Sequence, residues 1–264
     1  MSDINPANMQ MSKPVVWSCG GGVQSTAIAA LICQGRLPKP DLAVIADTGR
    51  EYSPVWDYLR DYVTPALAEA GVTLNIAGHD LATVDLYSGK DGDTLLIPAY
   101  TDKAGSGKAG QLPKYCSQEW KVRVIQRFCK AHGIKDADQW IGYTTDEMAR
   151  MKVYREEGNW QHLYPLIALK MRRSDCYGVI ENMGWPEPPR SACFMCPYRS
   201  DQEWQVMKDE SPKDFQAAVE LEKDIQQQDP NAFLNQRLIP LDEIEFSNEP
   251  DLFEKPCNAA GCFT

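Results

Sequence analysis

The chain has 264 residues, 43% of them apolar and 24% charged, a balance that excludes a disordered or fibrous protein. At this length roughly three quarters of the unfolded surface can be buried, so neither disulfides nor metals are needed simply to fold. Twenty-seven basic against thirty-seven acidic side chains leave a net charge of −10, which works against general attraction to phosphate backbones or anionic membranes. The longest apolar run, Ala27 to Cys33, is too short to span a bilayer. Met1 to Pro14 carries no apolar stretch behind a basic start, so a cytoplasmic protein with no membrane partner is expected. Nine cysteines are an odd number, and in a reducing compartment they point to metal or redox chemistry rather than a disulfide framework.

In chain order, Val15 to Ser18 reads as a buried strand and Gln24 to Gln34 as a helix. Leu42 to Ala46 reads as a second strand, and Ser53 to Ala70 as a helix with Pro54 in its first turn. Val72 to Ile76 is a third strand candidate, Ser117 to His132 an amphipathic helix, and Trp140 to Tyr143 a fourth strand. Strand and helix alternating in this way predict an α/β fold, a doubly wound and mostly parallel sheet with helices on both faces. Ligands of such sheets sit at the carboxyl ends of the strands. Leu86 to Pro113 is long, polar and glycine-rich, and reads either as a mobile surface insertion or as a lid. Ser211 to Asp214 resembles a capping box opening an acidic helix, Phe215 to Gln228. The expected division is a free N-terminus over 1–14, an α/β domain over 15–190, and a smaller helical, cysteine-containing region over 191–264.

Ser18-Cys19-Gly20-Gly21-Gly22-Val23-Gln24-Ser25-Thr26 stands between the first strand and its helix. Three glycines let the backbone approach a ligand, and the helix start adds partial positive charge. Ser25 and Thr26 add hydroxyl donors, which together make an anion cradle. No Walker lysine follows, and Ser25 stands where the dinucleotide fingerprint needs a third glycine.

The cysteines form a second group. Cys193-Phe194-Met195-Cys196 is a Cys-x-x-Cys, Cys116 stands just before the helix at Ser117, and Cys257 and Cys262 lie near the end. Converging thiolates suit zinc or an iron–sulfur cluster. Cys33 and Cys129 read as small core residues. His79, His132 and His162 show no paired metal spacing. A third group is charged: Lys114, Lys121, Arg123, Asp146, Glu147, Arg150, Lys152, Arg172, Arg173, Arg190 and Arg199. Arginine grips phosphate as a fork and lysine as a point charge. Asp47 and Asp146 have the oxygen donors that Mg²⁺ takes.

Gly21-Gly22-Val23-Gln24-Ser25 is similar to the Ser-Gly-Gly-x-Asp-Ser loop of the PP-loop ATP pyrophosphatases, the adenine nucleotide alpha-hydrolase-like superfamily. Asp47-Thr48-Gly49 resembles the Asp-Thr-Gly of its phosphoadenosine phosphosulfate (PAPS) reductase branch. Cys116-Ser117 with Lys121 and Arg123 resembles that branch's Cys-Thr-x-x-x-Lys segment. Gly142 to Arg150 resembles its Gly-x-x-x-Asp-Glu-x-x-Arg element. The likeness covers roughly residues 15 to 200 and departs at Gly20, where the family has serine, and at Gln24, where it has aspartate.

The resemblance implies that Ser18, Gly20, Gly21, Gly22, Val23, Gln24, Ser25, Thr26, Thr48, Gly49, Arg123 and Gly142 bind an adenine nucleotide, ATP with Mg²⁺. It implies catalytic roles for Asp47, Lys121, Asp146 and Arg150. It favours a [4Fe–4S] cluster over Zn²⁺ on Cys116, Cys193 and Cys196, with Cys257 or Cys262 as a further ligand or a mobile thiol. The expected activity is ATP-dependent sulfur transfer, with tRNA or DNA as acceptor and a sulfur donor such as a cysteine desulfurase; a homodimer is compatible with it. The alternatives are a PAPS or APS reductase reset by thioredoxin, and a zinc-stapled nucleotide-binding module of a modification or defence complex. The reductases' C-terminal Glu-Cys-Gly-Leu-His is not matched by Glu254 to Cys257 or by Gly261 to Thr264.

Overall fold

A computed structural model describes residues 13–78, 85–88, 92–102, 109–151 and 160–246. Five strands form one parallel sheet: β1 (Val15–Cys19), β2 (Leu42–Ala46), β3 (Leu74–Ala77), β8 (Ala137–Trp140) and β9 (Trp160–Leu163), in the order β3-β2-β1-β8-β9. Chain progress therefore runs outward in both directions from β1 and β8. That reversal leaves a crevice above their carboxyl ends, where open α/β sheets take ligands.

Alternation along the strands divides the apolar residues between two cores. Val15, Trp17 and Cys19 of β1, Ala43 and Ile45 of β2, and Trp140 of β8 face one side. There they meet α1 (Val23–Cys33), α2 (Ser53–Tyr58) with the π turn Leu59–Val63 and α3 (Thr64–Glu69) that continue it, and α6 (Arg173–Glu181). Val16, Val44, Ala46, Ala77 and Ala137 face the other side, against Val124, Ile125 and Cys129 of α4 (Arg123–Ala131). Helices thus cover both faces, as the sequence predicts. Helix α1 is apolar all round and wedged between sheet and α6, so Ala27 to Leu31 are fully buried.

The fourth strand differs from expectation. It ends at Trp140 rather than beginning there, and Ile141 to Thr144 form the loop beyond it. Its first residues, Ala137-Asp138-Gln139, carry two polar groups and lack an apolar signature. Asp138 is nevertheless buried, and Gln139 Nε2 donates to Ser18 Oγ across the pair at 2.6 Å. Strand β9 at the edge of the sheet was not anticipated. Of the glycine-rich stretch from Leu86, residues 86–88, 92–102 and 109–113 are described. Its described part pairs β4 (Tyr87–Ser88) with β5 (Thr94–Leu95), and β6 (Tyr100–Thr101) with β7 (Gly110–Gln111). Leu95, Leu96, Ile97 and Ala99 drop into the main core, while Gly89, Gly105 and Gly107 lie outside the described residues.

After the short α5 (Pro165–Ala168) and α6, the chain crosses the carboxyl ends of the sheet and enters α7 (Asp201–Glu210) and α8 (Pro212–Gln228). Strand β10 (Ala232–Phe233) returns to pair with β6. Buried Glu222 ties this region together by accepting from Leu234 N at 2.7 Å and Leu241 N at 2.6 Å. Among the described residues no helix is long and apolar enough to cross a membrane.

Glu222→Ala would orphan two buried N–H groups, each costing about 1–3 kcal/mol. Urea unfolding is expected to show a loss of roughly 2–5 kcal/mol, with the midpoint lowered accordingly.

Candidate functional site

The site forms where β1 and β8 part. Gly21 turns at φ +72°, and a Cβ there would stand 2.7 Å from Val55 Cγ1; only glycine accepts both conditions. Gly20 N donates to Ser25 Oγ at 2.8 Å, so the serine hydroxyl closes the loop on itself. Helix α1 then starts at Val23 with Gly22 as a cap that has no side chain, and with no acidic residue in its first turn. Thr26 N makes the first helical bond, to Gly22 O at 2.9 Å, so the N–H groups of Val23, Gln24 and Ser25 have no partner within the helix. Such a start favours an external anion.

Opposite the glycine turn lies the Cys-x-x-Cys loop. Ser191 Oγ donates to Gly20 O, and the Ser191 Cβ stands 3.3 Å from where a Cβ on Gly22 would be. The loop is also stitched to the segment after β2: Tyr52 N donates to Ala192 O at 3.2 Å and Phe194 N to Arg50 O at 2.8 Å, around a bridge between Glu51 and Cys193. Ser200 caps α7 directly behind it, accepting from Glu203 N at 3.1 Å. Cys116 arrives from the hairpin region, its N–H donating to Leu96 O at 2.9 Å.

Between these walls is a cavity of about 500 Å³. Of the predicted nucleotide-binding residues, Gly20, Gly22, Val23, Gln24, Ser25 and Gly142 line it, as do Lys121 and the three thiols Cys116, Cys193 and Cys196. Gly142 permits the β8 loop to close on α1, since a Cβ there would lie 3.3 Å from Gln24 Cβ. Other predicted residues stand behind the wall. Ser18 is buried under Gln139, and the buried Thr26 hydroxyl reaches no partner. Asp47 Oδ1 accepts from Gly49 N at 2.7 Å, shaping the turn after β2. Thr48 is buried with its hydroxyl 3.6 Å from Cys193 Sγ. Asp146 Oδ2 caps α6 through Arg173 N at 2.7 Å. Arg123 is not brought in: it pairs with Glu119 on the exposed face of its helix. Arg150 ends the 3₁₀ turn Thr145–Arg150, and its side chain, like Lys152, Cys257 and Cys262, lies outside the described residues.

The departure at position 24 acquires a role. Gln24 Nε2 donates to buried Glu147 Oε2 at 2.9 Å, and Arg173 Nη1 donates to Gln24 Oε1 at 3.3 Å. An aspartate would face Glu147 with like charge; the amide instead links Glu147 to Arg173, which lines the cavity. Glu51 and Ser191 belong to no motif that marks them as site residues. Buried Glu51 places Oε2 3.6 Å from Lys121 Nζ and Oε1 3.4 Å from Ser191 Oγ, joining the glycine turn, the lysine and the thiol loop. Its only sequence signal is a carboxylate four residues after Asp47.

Burial pushes the Cys193 thiol up to about 12, with the Glu51 carboxylate acting in the same direction against Lys121 and the Thr48 hydroxyl. Burial likewise raises Cys19 to about 11 and Cys176 to about 12, and both sit in the core. Among the described residues no three His, Cys, Asp or Glu side chains converge on a single metal ion. The soft donors lining the cavity are the thiols of Cys116, Cys193 and Cys196, the donor type that iron–sulfur clusters take, beside the carboxylates of Glu147, Glu187 and Glu203.

No protein-family model matches the sequence, nor does a curated protein. Among solved structures, the chain is similar to a PAPS reductase from Candida auris in its phosphate complex, at 15% identity and a TM-score of 0.45, covering 71% of this chain and 82% of that one. It is also similar to the U34-tRNA thiolase NcsA from Methanococcus maripaludis with its [4Fe–4S] cluster, at 14% identity and a TM-score of 0.42, covering 89% of this chain and 73% of that one.

Gly21→Ala is expected to cost at least about 2 kcal/mol, from the left-handed backbone and the Val55 contact together; chemical denaturation measures it. In metal-free protein the raised Cys193 thiol stays protonated at pH 8. Its alkylation there should be at least about tenfold slower than that of free cysteine and should accelerate as pH rises further, followed by mass spectrometry of the Cys193 peptide.

Proposed function

We propose that the protein is a PP-loop enzyme that uses ATP to activate an acceptor oxygen as an adenylate and then replaces that oxygen with sulfur. One observation carries the reading: the glycine turn and Cys116, Cys193 and Cys196 face the same cavity. A nucleotide held by the first could present its activated partner to the second.

In the first step a substrate oxygen attacks the α-phosphorus of ATP. A bond from that oxygen to phosphorus forms, and the bond to the bridging oxygen breaks, its electron pair leaving with pyrophosphate. The N–H groups of Val23, Gln24 and Ser25 would hold the departing pyrophosphate, with Arg173 as a guanidinium fork and Lys121 as a point charge. Mg²⁺ entering with the nucleotide would neutralise part of the developing charge. Gln24 would act as a positioning residue, steering Arg173. In the second step the outer sulfur of a donor persulfide, such as a desulfurase-borne one, forms a bond to the activated carbon, and AMP leaves with the electron pair of the carbon–oxygen bond. A thiol reductant then attacks the donor's inner sulfur, the S–S bond breaks with its electron pair going to the acceptor's sulfur, and the donor is left as a disulfide. When bound on Cys116, Cys193 and Cys196, a [4Fe–4S] cluster would supply an open iron site for sulfur. Glu51 would hold Lys121 between the two halves of the site.

The deciding measurement is product analysis with anaerobically prepared protein. Formation of AMP and pyrophosphate from ATP supports the reading; sulfite release from PAPS, with ATP untouched, replaces it with a reductase. Turnover of neither nucleotide leaves a binding module and overturns it. For Arg173→Ala, loss of a charge-assisted contact of about 1.5–3 kcal/mol is expected to weaken ATP binding roughly 10- to 100-fold by calorimetry, while Arg173→Lys retains part of the affinity.

A further inference from the structure

Arg199 is a buried cation that has no carboxylate partner among the described residues. Its residue is only 7% exposed, and among the described residues its guanidinium forms no ion pair. Nη2 donates to the carbonyls of Ala192 at 3.5 Å and Cys193 at 3.3 Å. The guanidinium carbon lies 4.8 Å from the Tyr52 ring centre and 5.8 Å from that of Trp204. Nε–H is buried and reaches no acceptor.

This arrangement is costly as it stands. A buried charge needs an opposite charge or a full set of hydrogen bonds, and two carbonyls with two ring faces do not supply either for a five-donor guanidinium. Arginine does not escape by losing its proton. The fold nevertheless fixes it firmly, since Ser200, the next residue, caps α7, and Tyr52 and Trp204 pack on both sides. What the guanidinium lies against is the backbone of the Cys193–Cys196 loop, whose thiols face the cavity on the other side.

We infer that Arg199 is the built-in counter-cation of a negatively charged, thiolate-held centre on Cys193 and Cys196. The missing anion is the loaded centre itself. A metal or cluster bound by several thiolates carries net negative charge, which a nearby fixed cation stabilises, and more so when an electron is added. Arg199 is thus a positioning and charge-compensating residue that touches neither nucleotide nor acceptor. The inference rests on the proposed function only for the identity of the anion.

The test uses the full chain reconstituted anaerobically with iron and sulfide, comparing wild type, Arg199→Met and Arg199→Lys. Arg199→Met is expected to lose iron to a chelator about 10- to 100-fold faster, and the potential of its cluster should move to more negative values. Arg199→Lys, keeping the charge, should stay near the wild-type potential. In metal-free protein the sign reverses: Arg199→Met should melt no lower than wild type, because an uncompensated buried charge has been replaced by an apolar side chain. If Arg199→Met does not fold, Arg199→Gln, neutral but polar, takes its place. Unchanged iron retention overturns the inference. Faster loss with an unchanged potential marks a packing role and overturns it too. If wild type takes up neither iron with sulfide nor zinc, the cluster reading and this inference fall together; if it takes up the cluster and Arg199→Met behaves like it, only this inference falls. Uptake of zinc alone removes the iron reading and leaves Arg199 to the same retention comparison with zinc, in which wild-type-like retention overturns it.

Discussion

The close approach of two backbones at Gly20 to Gly22 governs the rest of the site. Val55 occupies the space a side chain on Gly21 would take, and Ser191 packs against Gly22 while its hydroxyl holds Gly20 O. A side chain at either glycine would push the Cys-x-x-Cys loop outward or break the turn. Glycine here does more than admit a ligand. It brings a loop 171 residues away in sequence onto the first strand's end, so a shared cavity exists at all.

Such contact also explains which parts of the molecule were legible in its sequence. Strand β2 is an uninterrupted apolar run ended by Asp-Thr-Gly, and β1 an apolar run broken only by Ser18 and ended by glycine; both are buried on two faces, so composition marks them. Strand β8 fails that test because it carries Gln139, which is satisfied across the pair by Ser18, and buried Asp138, whose Oδ1 reaches no partner, and no local pattern reveals either. The stretch after Leu86 reads as a surface insertion or a lid because its strands are two residues long and rest on the core beneath them and on β10, more than a hundred residues later.

The site shows the same division. Cysteine and glycine spacing marked both walls of the cavity, because chemistry of that kind needs particular residue types at close spacing. Lys121 and Arg123 were credited alike, yet residues two apart on a helical segment point to opposite sides; the lysine turns inward to Glu51 and the arginine outward to Glu119. Glu51 belongs to no motif that marks it as functional, and Arg199 stands only as one member of the charged group. Their meaning comes from what surrounds them in three dimensions: a carboxylate between a lysine and a serine, and a guanidinium with no carboxylate partner among the described residues.

Charge around the cavity constrains the acceptor that could enter. The chain as a whole carries −10, so long-range steering of a polyanion is unfavourable, although it is screened beyond about 8–10 Å at physiological salt. Near the cavity the cations are largely spoken for: Arg190 pairs with Glu203 and Lys121 with Glu51. Arg173 differs, because its described partner is the neutral amide of Gln24. On the proposed reading, affinity for a nucleotide comes mainly from the uncapped start of α1 and from Arg173, with Lys121 sharing its charge with Glu51, all short-range groups suited to a few phosphates. On that reading, ATP would sit in the crevice and the acceptor would meet the protein over a small area, with any longer polyanion depending on basic surface supplied by another molecule.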